Sequence, residues 1–528
     1  MATQSVLIAG TWREANALEA FHAVNPATRE KLPDAYPVSS WADCNAVLDA
    51  AAAAAVEMRR LPAERIAKFL EVYADRIEAR KDAIAEMGNS ETALPTAPRL
   101  ADVELPRTTN QLRLAAAAAR EGSWSTATID TANNIRSYYT AIGPVAVFGP
   151  NNFPLAFGSV SGGDFAAAIA AGNPVIGKAN SSHPGTTRLF AEEALAAIEL
   201  TELPAAAVQL LYRTSHGDGE RLVSDPRIGA TGYTGSRSAG LKLKAAADAA
   251  GKPIYLELSA VNPIIILPAA LEQRGDELLD EFLTSSLMGT GQFCTNPGIV
   301  VLLAGPQTES FIDQLAVRFE SAAIGTLLSS RVAESMEENI ARLIGVGAGL
   351  LTGGKSGSGD GFCYQNTLLR ASGAQFLAKP AAFQTEVFGN ASLLVVADDV
   401  SQLLQIIAEL EGSLTGCIYS ARDGGDDAAY DELAPALASR VGRLLNDKMP
   451  TGVAVSPAMN HGGPFPATGH PGFTAVGIPA SLSRFAQLQC YDNVRPHRLP
   501  AALRDDNPSG SMWRLIDGNW TQADVAGG

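Results

Sequence analysis

Between residues 143 and 259 short apolar runs alternate with helix-like stretches, and no other feature of the chain restricts its fold as much. Residues 145–148 read as a strand, 153–171 as a helix, 175–178 as a strand and 185–198 as a helix. Strands follow at 208–212, 228–231 and 254–257, with a helix over 237–250 between the last two. Short strands separated by helices pair in parallel through crossovers, which predicts a doubly wound α/β sheet. Such sheets bind nucleotides beyond the carboxyl ends of their strands. The pattern therefore points to a nucleotide-binding unit.

A second alternating region runs from about residue 262 to 470, with helix-like 276–288 ahead of strand-like 298–303. Two α/β units with a cleft between them suit an enzyme with two substrates. The first part, to about residue 120, reads as helical. Residues 42–60 are alanine-rich with acids early and Arg59 and Arg60 late, as the helix dipole favours. Residues 64–87 carry Ile66, Phe69, Leu70, Tyr73 and Ile77 at helical spacing, with Gly88 and Asn89 as the expected stop. The pieces 121–142 and 482–500 fit neither unit and are candidates for an extended arm. The expected division is a cofactor-binding domain of 1–120 with 143–259, a catalytic domain of 260–475, and an arm with C-terminal tail of 121–142 with 476–528.

The chain has 528 residues and a net charge of -16. An acidic balance of this size supplies no basic face for nucleic acid, although local cations and helix N-termini still accept an anionic ligand. Five cysteines (Cys44, Cys294, Cys363, Cys417 and Cys490) are scattered without a CxxC pair, which argues against a disulfide framework and a structural zinc site. A cytoplasmic protein is expected. The histidines are dispersed and no HExxH occurs, so no metal is expected; no GxSxG elbow occurs either. No basic-then-apolar leader opens the chain, and Asp164 with several glycines interrupts the most apolar run, 161–177, so no membrane contact is expected.

Three polar residues stand where chemistry is possible. Cys294 lies in Gly289-Thr290-Gly291-Gln292-Phe293-Cys294-Thr295, where glycines let a ligand approach the sulfur. A thiolate there attacks carbonyl carbon, whereas a lone cysteine elsewhere is usually a small core residue. Glu257 closes the strand 254–257, placed either as a general base or as a salt-bridged surface acid. Asn152 sits in a strand-to-helix turn, where its amide either steadies an oxyanion or caps the helix. Gly235-Ser236-Arg237-Ser238-Ala239-Gly240 opens a helix after a strand and offers amides to a pyrophosphate; Lys178 ends another strand within reach of a ribose or phosphate.

Taken in order and spacing, these segments resemble the aldehyde dehydrogenase family over essentially the whole chain. GPVAVFGPNNFPLAF is similar to the family's oxyanion motif and implies that role for Asn152. TGYTGS resembles its cofactor turn, with Tyr233 in the aromatic place and Gly235 and Ser236 beside the pyrophosphate. ELSAVNP implies Glu257 as base and GQFCTNPG implies Cys294 as nucleophile. QTEVFGN implies Glu386 on the nicotinamide ribose and Phe388 beside the nicotinamide. The resemblance implies an α/β aldehyde dehydrogenase fold with a Rossmann-like cofactor domain, an α/β catalytic domain and an oligomerisation arm that adds strands to a neighbour's sheet in a homodimer or homotetramer. It implies attack by Cys294, hydride transfer to NAD(P), and hydrolysis of the thioester by water that Glu257 activates.

Two departures refine this. Members that prefer NAD often carry a glutamate for the adenosine ribose where this chain has Ser181, three residues after Lys178. A carboxylate repels a ribose phosphate and a serine does not, so NADP is favoured and NAD remains possible; Arg213 and His216 are weaker candidates for the phosphate. Asn151 replaces a common tryptophan, which implies a differently shaped substrate tunnel. ETALP, RTTNQLRLAAAAAREGSW, SHPGTT, NHGGPFPAT and WRLIDGNWT resemble the members acting on 2,5-dioxopentanoate (α-ketoglutaric semialdehyde). A long-chain aldehyde, a succinic-semialdehyde-type substrate, a CoA-acylating reaction and a non-enzymatic protein on the same fold remain open alternatives.

Overall fold

The computed structural model describes residues 3–258 and 260–525, so Ser259, the expected end of the cofactor unit, and the last residues of the tail lie outside the described residues. The alternating region forms five parallel strands in the order Ile254–Glu257, Ala230–Thr234, Val145–Phe148, Val175–Lys178 and Val208–Leu211. The chain builds outward from Val145–Phe148 to one side, then returns to build the other. That reversal opens a crevice at the carboxyl ends of Val145–Phe148 and Ala230–Thr234. Val145–Phe148 and Val208–Leu211 are buried at every residue, as a sheet covered on both faces requires. Helices Gly163–Ala170, Pro184–Thr201 and Arg237–Ala249 lie among the crossovers.

The helical reading of the first 120 residues needs correction. Val6–Ile8 joins this sheet antiparallel to Val208–Leu211 and pairs with Thr11–Arg13, while Ala17–Val24 and Lys31–Ser39 form an antiparallel pair bonded to Arg213–Thr214. Val6–Ile8 and Thr11–Arg13 are three residues each, too short to carry a period, and the alanines of Ala17–Val24 mask a weak β pattern. Helices Trp41–Met58, Ala63–Ala79, Lys81–Thr92 and Leu105–Glu121 do follow. Arg80 breaks the helix expected over 64–87. Gly88 and Asn89 do not end it: the chain stays helical to Thr92 and turns on left-handed Ala93. Leu100 presses on Gly88, where an added Cβ would meet it at 3.2 Å, and Asn89 Nδ2 donates to Leu94 O at 2.8 Å across the turn.

The helix expected over 153–171 starts only at Gly163. Buried Glu104 takes the backbone N–H groups of Leu155 and Ala156 on Oε1 at 2.9 and 3.0 Å, and so holds this stretch as turns. A tertiary carboxylate thus overrides a local helical pattern.

The second region forms a seven-stranded sheet in the order Gly349–Thr352, Thr367–Ser372, Ala391–Ala397, Ile299–Leu303, Ile264–Ile266, Ser413–Tyr419 and Val441–Asn446, antiparallel only at Gly349–Thr352. The alternation stops at Asn446 rather than near 470. Residues 447–479 contain no helix or strand, only an isolated bridge from Thr468 to Glu257. So long an irregular stretch in a compact unit usually builds a site. The two leftover pieces meet: Ala486–Asp492 pairs antiparallel with Ile135–Ala141 in a five-stranded sheet completed by Thr128–Asp130, Arg514–Ile516 and Asn519–Thr521. Among the described residues no helix is long and apolar enough to cross a membrane.

Candidate active site

Helix Pro268–Leu287 delivers the chain into the tight turn Met288–Gly291, where Gly289, Thr290 and Gly291 all have positive φ. At Gly291 the backbone runs against the 386–390 loop so closely that a Cβ would fall 2.1 Å from Gly389 O. Cys294 follows, half-buried, just before Ile299–Leu303. Asn262 Nδ2 donates to Cys294 O at 2.8 Å and Asn296 O at 3.1 Å, and Gln292 Oε1 accepts from Leu328 N at 2.8 Å. The thiol therefore sits on a pinned loop. Burial and then the charge of Glu257 push its pKa well up, so a neighbouring base is needed to make the thiolate.

Glu257 supplies the opposite wall. It ends its strand at the carboxyl edge of the first sheet, buried, with Gly235 N donating to its carbonyl at 3.1 Å and Leu258 N to Ala467 O at 2.8 Å. Its Oε1 lies 2.8 Å from His461 Nε2, which lies 3.5 Å from Cys294 Sγ. One ligand atom from each of the three groups falls within 4.8 Å of the others. A protonated Nε2 donates to Glu257; a bare Nε2 accepts from the thiol and, once protonated, donates to Glu257, so the thiol proton reaches the carboxylate in two transfers through one nitrogen. Glu257 Oε2 is buried without a partner among the described residues, a position suited to a water molecule.

Asn152 reaches the same place from the turn after Val145–Phe148. Its Nδ2 donates to Gln292 O at 3.0 Å, two residues before the cysteine. Arg99 Nη2 donates to Asn152 O at 3.2 Å, and Arg99 Nη1 pairs with buried Glu104, the carboxylate that shapes the 153–162 turns. The Arg99 guanidinium stacks 4.3 Å from the centre of the Phe153 ring. A buried ion pair thus fixes the backbone that presents the amide.

The remaining sequence-derived positions line the carboxyl ends of the first sheet and the facing loop. Lys178 has no carboxylate partner among the described residues; burial and then Arg213 push its pKa down to about 8. Ser181 is half-buried at the same strand end. Ser236 is the extended N-cap of Arg237–Ala249, but its side chain does not cap, so the first-turn amides stay open to an anion. At Gly235 a Cβ would fall 2.7 Å from Tyr233 Oη, which leaves the backbone bare beside that helix end. An amino group without an anion and an uncapped helix end fit a dinucleotide phosphate and ribose. Glu386 and Phe388 lie half-buried on the loop packed against Gly291, and the charge of Glu386 reaches Cys294.

The structure thus brings Cys294, Glu257 and Asn152 together. Sequence reasoning missed His461, Asn262, Arg99 and Glu104. His461 lay in the quoted NHGGPFPAT segment, but a histidine without spaced partners carries no signal of its own.

The aldehyde dehydrogenase family profile matches residues 12–454. The chain is 38% identical over 526 residues to alpha-ketoglutaric semialdehyde dehydrogenase 2 of Azospirillum brasilense, covering 97% of this chain and 98% of that protein. It is 37% identical over 468 residues to alpha-ketoglutaric semialdehyde dehydrogenase of Acinetobacter baylyi, covering 86% and 87%. Among solved structures, lactaldehyde dehydrogenase from Escherichia coli superposes with a TM-score of 0.80 at 23% identity, covering 93% of this chain and 98% of that one.

Proposed function

The chain belongs to the aldehyde dehydrogenase family, and from that premise we propose that it oxidises α-ketoglutaric semialdehyde to 2-oxoglutarate, with NADP as preferred acceptor and NAD as a usable one. The observation that carries the chemistry is the convergence of the Cys294 thiol, the His461–Glu257 pair and the Asn152 amide on one cleft edge. Kinship with the two semialdehyde dehydrogenases supports the substrate.

Cys294 Sγ attacks the aldehyde carbon, and its proton passes to the His461–Glu257 pair. The Asn152 amide and the Cys294 backbone N–H hold the oxyanion of the thiohemiacetal. Bound NAD(P) supplies the acceptor for the hydride released as that oxyanion collapses. A thioester remains on Cys294. The pair releases the thiol proton to solvent; Glu257 then takes a proton from water, the hydroxide adds to the thioester carbon, and the carboxylate product leaves as the thiolate is regained. Lys178, Gly235, Ser236, Glu386 and Phe388 position the cofactor. Ser181 puts no carboxylate beside the adenosine ribose, and Lys178 with Arg213 provides two cations, which together support NADP. Through the arm sheet, the protein assembles as a homodimer or homotetramer.

The experiment is NADPH and NADH formation with α-ketoglutaric semialdehyde, succinic semialdehyde and a long-chain aldehyde, with C294A as control. The keto acid with NADP is expected to give the highest kcat/KM, abolished in C294A. Highest turnover with the long-chain aldehyde overturns the substrate, and equal or better turnover with NAD overturns the cofactor preference.

A further inference from the structure

Two half-buried arginines whose charges act on Cys294 have no part in the chemistry above. Arg107 opens the RTTNQLRLAAAAAREGSW stretch and lies in the first turn of Leu105–Glu121. Its Nη1 donates to Val453 O, and its Cζ lies 5.5 Å from the centre of the Phe157 ring, which itself sits 5.9 Å from the His461 ring. The other edge of the guanidinium, Nε and Nη2, is buried without a partner among the described residues. Those two N–H groups point the same way and form the fork that matches a carboxylate. Glu104 does not fill it, being taken by Arg99, Leu155 N and Ala156 N.

Arg443, on Val441–Asn446, is likewise held by backbone carbonyls but leaves a single nitrogen open. Its Nη2 donates to Pro450 O and Gly452 O at 3.3 and 3.2 Å, and its Nε is buried and unpartnered among the described residues. Neither arginine forms an ion pair with a carboxylate among the described residues, and the charge of each acts on Cys294. Burial lowers both pKa values, yet a guanidinium stays charged, so two desolvated cations lack an anion.

We propose that the Nε–Nη2 edge of Arg107, supported by Arg443, is the subsite for a carboxylate at the far end of the aldehyde, so that the enzyme selects short anionic ω-oxo acids over neutral aldehydes. The proposal rests on the reaction given above and names the residues that choose its substrate. An uncharged aldehyde strands the fork, and a site with unpaired buried donors discriminates strongly.

The test compares kcat/KM for α-ketoglutaric semialdehyde and for pentanal, uncharged and of equal chain length, in wild type, R107M, R107K and R443M. Calorimetry of 2-oxoglutarate binding accompanies it. R107M is expected to lower the ratio of the two kcat/KM values roughly ten- to a hundredfold, chiefly through KM, and to weaken 2-oxoglutarate binding by a similar factor. R107K, which keeps the charge but not the fork, falls between, and R443M shows a smaller loss. A wild-type preference for the keto acid that persists in R107M and R107K overturns the subsite alone. Parallel loss on both aldehydes with the ratio unmoved does the same, since it assigns Arg107 a structural role. No preference in the wild type overturns the substrate reading and the subsite with it.

Discussion

At the scale of single residues the site is a problem in moving one proton out of a buried thiol. Burial and the charge of Glu257 both hold the Cys294 proton on. Removing the carboxylate charge therefore favours the thiolate, and E257Q is expected to shift the pH midpoint of Cys294 alkylation by iodoacetamide downward. The same variant loses the base for thioester hydrolysis, so rapid mixing shows a burst of one NADPH per site followed by slow turnover. An upward shift, or steady turnover without a burst, contradicts these roles. For the amide, N152A is expected to lower kcat roughly a hundred- to a thousandfold with little change in KM, as loss of an oxyanion donor does. A change confined to KM assigns Asn152 to the loop contact with Gln292 instead. Cys294, Glu257 and Asn152 stood out only through the joint resemblance of their motifs to the aldehyde dehydrogenase family, since each local run alone left a structural alternative open. His461 and Asn262 did not, because their roles come from the irregular 447–479 stretch and from a pinned loop, and neither arrangement has a period.

At the scale of elements, strands between 143 and 259 were legible because a sheet buried on both faces demands continuous apolar runs. The turns at 153–162 were not, because Glu104 from a distant helix claims their amides. A second buried acid works similarly at the start of Pro184–Thr201. Glu91 accepts from Gly185 N, Thr186 N and Thr186 Oγ1 at 2.7, 2.8 and 2.7 Å. Burial outweighs those bonds and pushes its pKa from 4.5 up to about 7. The folded state thus holds this proton more tightly than the unfolded chain. Its stabilising effect is full below about pH 4.5 and is lost as pH rises to about 7, a change of roughly 3 kcal/mol at most. Wild-type Tm is expected to fall across that window more steeply than that of E91Q, whose neutral amide has no proton to lose. Parallel curves for the two proteins show that Glu91 stays ionised throughout.

At the scale of the whole molecule, two sheet edges are open among the described residues. Ala486–Asp492 is an edge strand of the arm sheet and exposes Leu488 at 61%. Val441–Asn446 is an edge strand of the seven-stranded sheet and exposes Leu444 at 36%. An unpaired, partly apolar edge invites another strand, and a second copy of the chain carries one. The two arm segments were legible only as pieces that fit neither α/β unit, whereas their pairing with each other is set across hundreds of residues. If the arm covers the neighbour's Val441–Asn446, L488K places a charge in that contact. Light scattering is then expected to show a smaller assembly than the wild type. Arg443 rides on Val441–Asn446, so an uncovered edge leaves that strand freer to shift. The smaller species is therefore expected to discriminate less well between α-ketoglutaric semialdehyde and pentanal, while its NADPH yield per turnover is unchanged. An L488K assembly of wild-type size removes Leu488 from the interface. A smaller assembly with undiminished discrimination separates assembly from substrate choice and leaves Arg443 held by its own chain, through the carbonyls of Pro450 and Gly452.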